Sequence, residues 1–247
     1  MTTVLADRAV FGVIVPSTNT VVEDEYNQMR PRGVSLHAGR IYIRNESLDS
    51  DEVFEAFLED LRTEIGRAIR DVVTAKPDYL VMGMSAETFW GGAEGNERFE
   101  RFVRDQSGLA VSTGASACKE ALQRLGARRI GVITPYQPVG DEQVQTFFSQ
   151  LGFEVTTVHG LKCPSATAIA EVPPEEVRQA FLSVNGGDVD ALVQAGTNLP
   201  AVGVAARLED ELGKPVIAIN AATLWHALRV NGIEDRIEGF GRLLSEF

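Results

Sequence analysis

Apolar and polar positions alternate along this chain with the spacing of strands and helices. Residues 11–16 form a short apolar run stopped by proline, which predicts a buried strand. Residues 34–43 alternate loosely and predict a second strand. From residue 51 to 74, Phe54, Phe57, Leu58, Leu61, Ile65, Ile69 and Val72 recur at spacings of three and four, the stripe of an amphipathic helix. Lys76-Pro77-Asp78 breaks that helix. Residues 78–85 make a third apolar run that ends in small residues and a hydroxyl. Residues 86–96, which carry Trp90-Gly91-Gly92, predict a mobile loop: a bulky cover on flexible glycines, or a loop anchored by one buried Trp. A helix over 97–105, a strand over 109–113 and a helix over 116–125 closed by Gly126 follow.

At Arg129 the pattern restarts. Residues 130–135 echo 11–16 at a shift of 119, and residues 190–197 echo 78–85 at a shift of 112. Residues 213–232 echo 108–126 at a shift near 105, so three matched pieces keep their order while short loops shrink. Between them the pattern predicts helices over 142–151, from Pro173-Pro174, and over 208–212 and 222–230, with strands over 154–160, 189–195 and 215–219. Strand–helix alternation predicts an α/β fold with mainly parallel sheets flanked by helices. The repeat divides it into two lobes related by a pseudo-two-fold, residues 1–126 and 127–247, with a final helix able to cross back. Ligands of such sheets lie outside the strand carboxyl ends, which puts the site between the lobes.

Composition narrows the partners. The net charge of −12 argues against nucleic acid or an anionic membrane surface as the main partner. The opening residues lack the pattern of a secretory leader, and no apolar stretch approaches a membrane span. Two cysteines, Cys118 and Cys163, are too few for a disulfide scaffold, so a cytoplasmic protein with free thiols is expected. His37, His159 and His226 lack metal-ligand spacing, and neither a dinucleotide fingerprint nor a phosphate loop is present, so no metal or cofactor is expected.

The candidate chemistry clusters at predicted strand ends. Ser17 and Asn19 follow the first strand, as helix caps, as anion ligands, or as both. Ser85 follows the third, Tyr136 the first strand of the second lobe, and Thr197 and Asn198 the repeat of the third. Hydroxyls, amides and backbone N–H groups hold a small-molecule carboxylate without a formal charge. Glu87, two residues past Ser85, is a candidate proton carrier if its loop closes over the crevice, and otherwise a solvated or helix-start carboxylate. Cys118 reads as a small buried thiol. Cys163, before Pro164, stands in a loop that could border the crevice. His159 and His226 read as polar surface or core-edge residues, and Arg40 and Arg44 as exposed cations able to attract an anion.

The pieces Val15-Pro16-Ser17-Thr18-Asn19, Thr134-Pro135-Tyr136 and Gly196-Thr197-Asn198-Leu199-Pro200, in a chain repeated this way, resemble maleate cis-trans isomerases and arylmalonate decarboxylases of the aspartate/glutamate racemase superfamily. The resemblance spans nearly the whole chain. It implies a cofactor-independent isomerase or lyase acting on small carboxylic or dicarboxylic acids, and a homo-oligomer. It also implies that Asn19 and Tyr136 position a carboxylate or a developing enediolate; beside it, Ser85, Glu87 or an ordered water is expected to move protons. Such proteins place a cysteine at one or both strand ends. Carried over, those positions fall on Met84 and on Gly196, or on Ala195 if the register slips by one, and none of these side chains can be acid, base or nucleophile. The departure leaves open a non-catalytic binder of small acids, and a hydrolase of a small amide or ring using Ser85.

Overall fold

The computed structural model describes residues 3–44 and 51–247, with the side chains of residues 51–60 and 62 outside the description. The first half contributes strands β1 (Ala9–Pro16), β2 (Val34–Ile41), β3 (Tyr79–Met82) and β4 (Val111–Ser112), all parallel, in the order β2-β1-β3-β4. The second half contributes β5 (Arg129–Thr134), β6 (Glu154–Gly160), β7 (Ala191–Gln194) and β8 (Val216–Ala218), also parallel, in the order β6-β5-β7-β8. The two sheets have the same topology, as the repeat predicts.

Burial explains which strands the hydrophobic pattern marks best. Every residue of β1, β3 and β7 is buried, because helices cover both faces, so these strands read as continuous apolar runs. The edge strands β2 and β6 are partly exposed and read as loose alternation. The central strands repeat a glycine. A Cβ on Gly131 would come within 2.2 Å of the Val184 carbonyl oxygen, and one on Gly12 within 2.8 Å of the Leu80 side chain and 3.1 Å of Val72. In both halves a helix end borders the strand there: at Gly131 its backbone leaves room only for glycine, and at Gly12 side chains crowd the position.

The helices are α1 (Val22–Met29), α2 (Asp51–Val72), α3 (Ala86–Phe89), α4 (Gly92–Ser107) and α5 (Gly114–Arg124) in the first half. The second half has α6 (Pro138–Gln150), α7 (Pro174–Ser183), α8 (Val202–Leu212), α9 (Ile219–Val230) and a short α10 (Arg242–Glu246). Leu61, Ile65, Ile69 and Val72 of the α2 stripe are buried, while the Phe54, Phe57 and Leu58 side chains lie outside the described residues. Helix α9 packs on α5, α1, β3 and β4, so the last long helix of the second half seals the first. Among the described residues no helix is long and apolar enough to cross a membrane, and no three metal-ligating side chains are grouped to hold an ion.

The segment 86–96 is not the loop its glycines suggest. It is α3, a tight corner, and the first turn of α4. Phe89 stacks edge-on to Phe147 with centroids 5.2 Å apart and lies 5.8 Å from Phe148. Gly91 and Gly92 take positive φ at the corner, and Gln143 and Gln150 of α6 accept the Gly91 and Ala93 N–H groups at 2.9 and 2.8 Å. The glycines serve a fixed turn between two packed helices rather than a hinge.

Candidate functional site

The carboxyl ends of β1, β3, β5 and β7 converge on one cavity of roughly 660 Å³, counted out to its open mouth. From the first half come Thr18, Asn19, Met84 and Ser85, and from the second Tyr136, Gly196, Thr197 and Asn198. Its remaining wall is largely apolar, with Pro16, Ile43, Leu61, Ala86, Pro135, Ala166 and Ile169, and it also includes Cys163 and the Gln137 amide. No carboxylate, amine, guanidinium or imidazole is among its described lining residues.

Hydrogen bonds join the halves directly at this cavity. Ser85 Oγ and Tyr136 Oη are 2.7 Å apart, and the Thr197 N–H donates to Ser85 Oγ at 3.0 Å. Thr197 Oγ1 donates to the Gly83 carbonyl at 3.1 Å and accepts from Asn19 Nδ2 at 3.4 Å. Asn198 Oδ1 accepts the Thr20 N–H at 3.0 Å, while its Nδ2 donates to the Ala166 carbonyl at 2.8 Å. Asn19 serves two ends: its Oδ1 accepts the Val21 and Val22 N–H groups at 3.0 Å, satisfying amides at the start of α1. Asn19 thus satisfies amides at the start of α1 and also lines the cavity.

Burial sets the protonation of the cavity's acids. The Tyr136 phenol is pushed up, although its bond to Ser85 opposes the shift, and it is neutral at ordinary pH. The Cys163 thiol is pushed up to about 11, chiefly by burial and then by the Glu176 charge. Cys118 is fully buried on α5 and pushed up by burial alone. Behind Tyr136, its N–H donates to Thr134 Oγ1 at 3.0 Å, and that hydroxyl donates to Asp141. Burial raises the Asp141 carboxyl to about 6.

Two sequence candidates stand elsewhere. Ser17 is exposed and clips the chain after β2, its Oγ accepting the Ile43 N–H at 3.0 Å. Glu87 is buried on α3 and faces a separate groove with Trp90, Arg98 and Phe99, because the helix turns it away from the position beside Ser85. Arg40 pairs with Glu23 and donates to the Ser17 and Asn19 carbonyls at 3.0 Å, fastening the loop after β1 rather than facing the cavity. His226 bonds Ser112 at 2.7 Å and His159 bonds Ser183 at 3.0 Å, neither at the cavity. Ala195 is buried behind the lining, its N–H given to the Ile133 carbonyl.

Sequence reasoning missed the supports of the 196–198 loop. Gln194 Nε2 donates to the Gly196 carbonyl at 2.6 Å, and Asn220 Nδ2 donates to the Thr197 carbonyl at 2.9 Å. The signal was there: Gln194 is a lone amide inside an apolar run, and Asn220 follows one directly. Leu61 and Ile169 carry no comparable mark.

A family model described as arylmalonate decarboxylase matches residues 11–244. A maleate isomerase of Pseudomonas putida is 28% identical, with 95% of this chain and 96% of the relative covered. A maleate isomerase of Nocardia farcinica is 27% identical, with 95% of each covered. A solved structure of the Nocardia farcinica maleate cis-trans isomerase, a cysteine-to-serine variant with a covalently bound succinylcysteine intermediate, has a TM-score of 0.87 at 26% identity. That match covers 96% of this chain and 98% of the other. Fold, strand-end cavity and whole-length similarity agree: the chain belongs to the arylmalonate decarboxylase family.

Proposed function

We propose that the cavity binds a small dicarboxylic acid of the malonate type and decarboxylates it, with Met84 and Gly196 standing where relatives carry cysteine. The observation that carries this reading is a cavity whose described lining carries no charge and is largely apolar away from the Ser85, Tyr136 and Thr197 end. Covalent isomerisation of the kind trapped in the Nocardia farcinica enzyme needs a thiolate. Both thiols of this chain are instead held in the neutral form. Decarboxylation needs neither an ionised base nor a nucleophile. One carboxylate sits at the Ser85, Tyr136 and Thr197 end, held by hydroxyl and amide donors. The other lies against Ile43, Leu61 and Ile169, where its charge is poorly solvated and loss as neutral carbon dioxide is favoured.

When the carbon–carbon bond breaks, its electron pair passes into the retained carboxylate and forms an enediolate. Ser85 and Tyr136 share one hydrogen bond, so with Ser85 donating to Tyr136 it is the phenol O–H that donates to the developing oxyanion, the type of contact worth about 10²–10³-fold in rate per donor. The carbon is then protonated. The neutral Cys163 thiol in the wall supplies that proton and regains one from water, so no net charge accumulates.

The test is turnover of methylmalonate and phenylmalonate in deuterium oxide, followed by NMR. The expected product is the monoacid with one deuterium at the carbon next to the carboxylate. Tyr136→Phe is expected to lower kcat by about 10²–10³-fold, and Cys163→Ala to lower kcat with little change in KM. Binding by calorimetry without product would replace this reading with that of a non-catalytic acid binder. Conversion of maleate to fumarate would restore the isomerase reading.

A further inference from the structure

We propose that Glu25 is a positioning residue that sets the posture of the cavity loop 196–198 through Asn220, according to its own protonation. The inference rests on the cavity being the acid-binding site.

Glu25 lies on α1 of the first half, but its carboxyl bonds to the second. Its Oε1 accepts the Val202 N–H at the start of α8 at 3.1 Å, and its Oε2 accepts Asn220 Nδ2 at the start of α9 at 2.6 Å. The same Asn220 Nδ2 donates its other hydrogen to the Thr197 carbonyl at 2.9 Å. Thr197 in turn gives its N–H to Ser85 and shares its hydroxyl with Asn19 and Gly83. One carboxyl, one amide and one carbonyl thus connect α1 to the cavity lining.

An ionised carboxylate accepts from Val202 and Asn220 together; once protonated, one of its oxygens carries a hydrogen and faces a donor poorly. Asn220 has an alternative. Its Oδ1 is buried and without a hydrogen-bond partner. Turning the amide over offers that oxygen to the new O–H and withdraws Nδ2 from the Thr197 carbonyl.

The groups around Glu25 place the change near neutrality. Burial raises its carboxyl from the ordinary 4.5 to about 7, against the bonds from Asn220 and from the Val202 and Ala201 backbone, and the neighbouring Asp24 charge adds to the rise. Its other titratable neighbour on α1, Tyr26, is buried and neutral, and so is Cys118 of α5 beyond Tyr26. No acidic residue stands in the first turn of α8 or α9, and residues 196–198 carry no charge. The sign for stability follows: Glu25 favours the fold most below about pH 4.5, and that contribution is lost as pH rises to about 7.

The experiment is a pH titration of the full chain by NMR between about pH 5 and about pH 9, reading the Asn198 backbone amide and the Asn220 side-chain amide. The Asn198 amide follows the Thr197 carbonyl in the chain and reports its hydrogen bond. Both signals are expected to shift with one midpoint near 7, to lose that shift in Glu25→Gln, and to keep it in Asp141→Asn. A static Asn198 signal, or one that titrates unchanged in Glu25→Gln, overturns the proposal. Should Glu25→Gln not fold, the carboxyl carbon of Glu25 in the unaltered protein decides, since a midpoint different from that of Asn198 also overturns it. No turnover is read, so failure here is distinct from failure of the decarboxylase reading.

Discussion

At position 196 the backbone decides what fits. Gly196 has φ of 140°, and a Cβ there would stand 2.4 Å from Pro135 Cδ. A cysteine side chain is therefore not accommodated at this strand end by substitution alone. Met84, at the matching end in the first half, is buried in the cavity wall without such a constraint. Met84→Cys is expected to fold with a loss of about 1–2 kcal/mol. Gly196→Cys is expected to lose more, about 2–4 kcal/mol, from strain at φ and overlap with Pro135. Urea unfolding of the two variants checks the order, and equal stability would refute the backbone argument. Most of the polar site was legible residue by residue, because Asn19, Ser85, Tyr136, Thr197 and Asn198 each follow a buried apolar run. Ser17 and Glu87 share that sequence signal yet point elsewhere, one clipped to Ile43 and one turned away on α3. Side-chain direction within a single helical turn is not written in strand-end position.

Among the elements, the repeated glycines carry a sharper test than the repeated strands. On Gly131 a methyl would meet a backbone carbonyl, which moves only with its helix. On Gly12 it would meet side-chain tips of Leu80 and Val72, which can yield. Gly131→Ala is expected to cost about 1–3 kcal/mol, and Gly12→Ala less, both read as shifts in denaturation midpoint. A larger loss at Gly12 would contradict this account. The elements themselves were largely legible: both four-stranded sheets follow from apolar runs and their repeat. The segment 86–96 was not. Its glycines carry the mark of a loop, whereas the stacking of Phe89 on Phe147 and Phe148 is a long-range contact that local pattern does not contain. The start of α8, at Val202 rather than near residue 208, was hidden for a related reason. Small residues 201–206 have little periodicity, and the helix is held there by Glu25, far away in sequence.

Across the whole molecule, the two halves meet where the chemistry is proposed, and each supplies hydroxyls that only the other completes. Helix α9 locks them together from behind. The duplicated architecture was visible as three shifted echoes, but the bonds between the copies at the cavity were not, since each joins residues more than 50 apart in the chain. One feature of the cavity reaches beyond its walls. With no cation among the described lining residues and a net charge of −12 on the chain, an approaching dianion meets net repulsion until it touches the hydroxyls. Salt shortens that repulsion, whose range is about 10 Å at 0.1 M. Ligand capture should accelerate as ionic strength rises, the reverse of an electrostatically steered enzyme, and stopped-flow association rates across a salt series would record it.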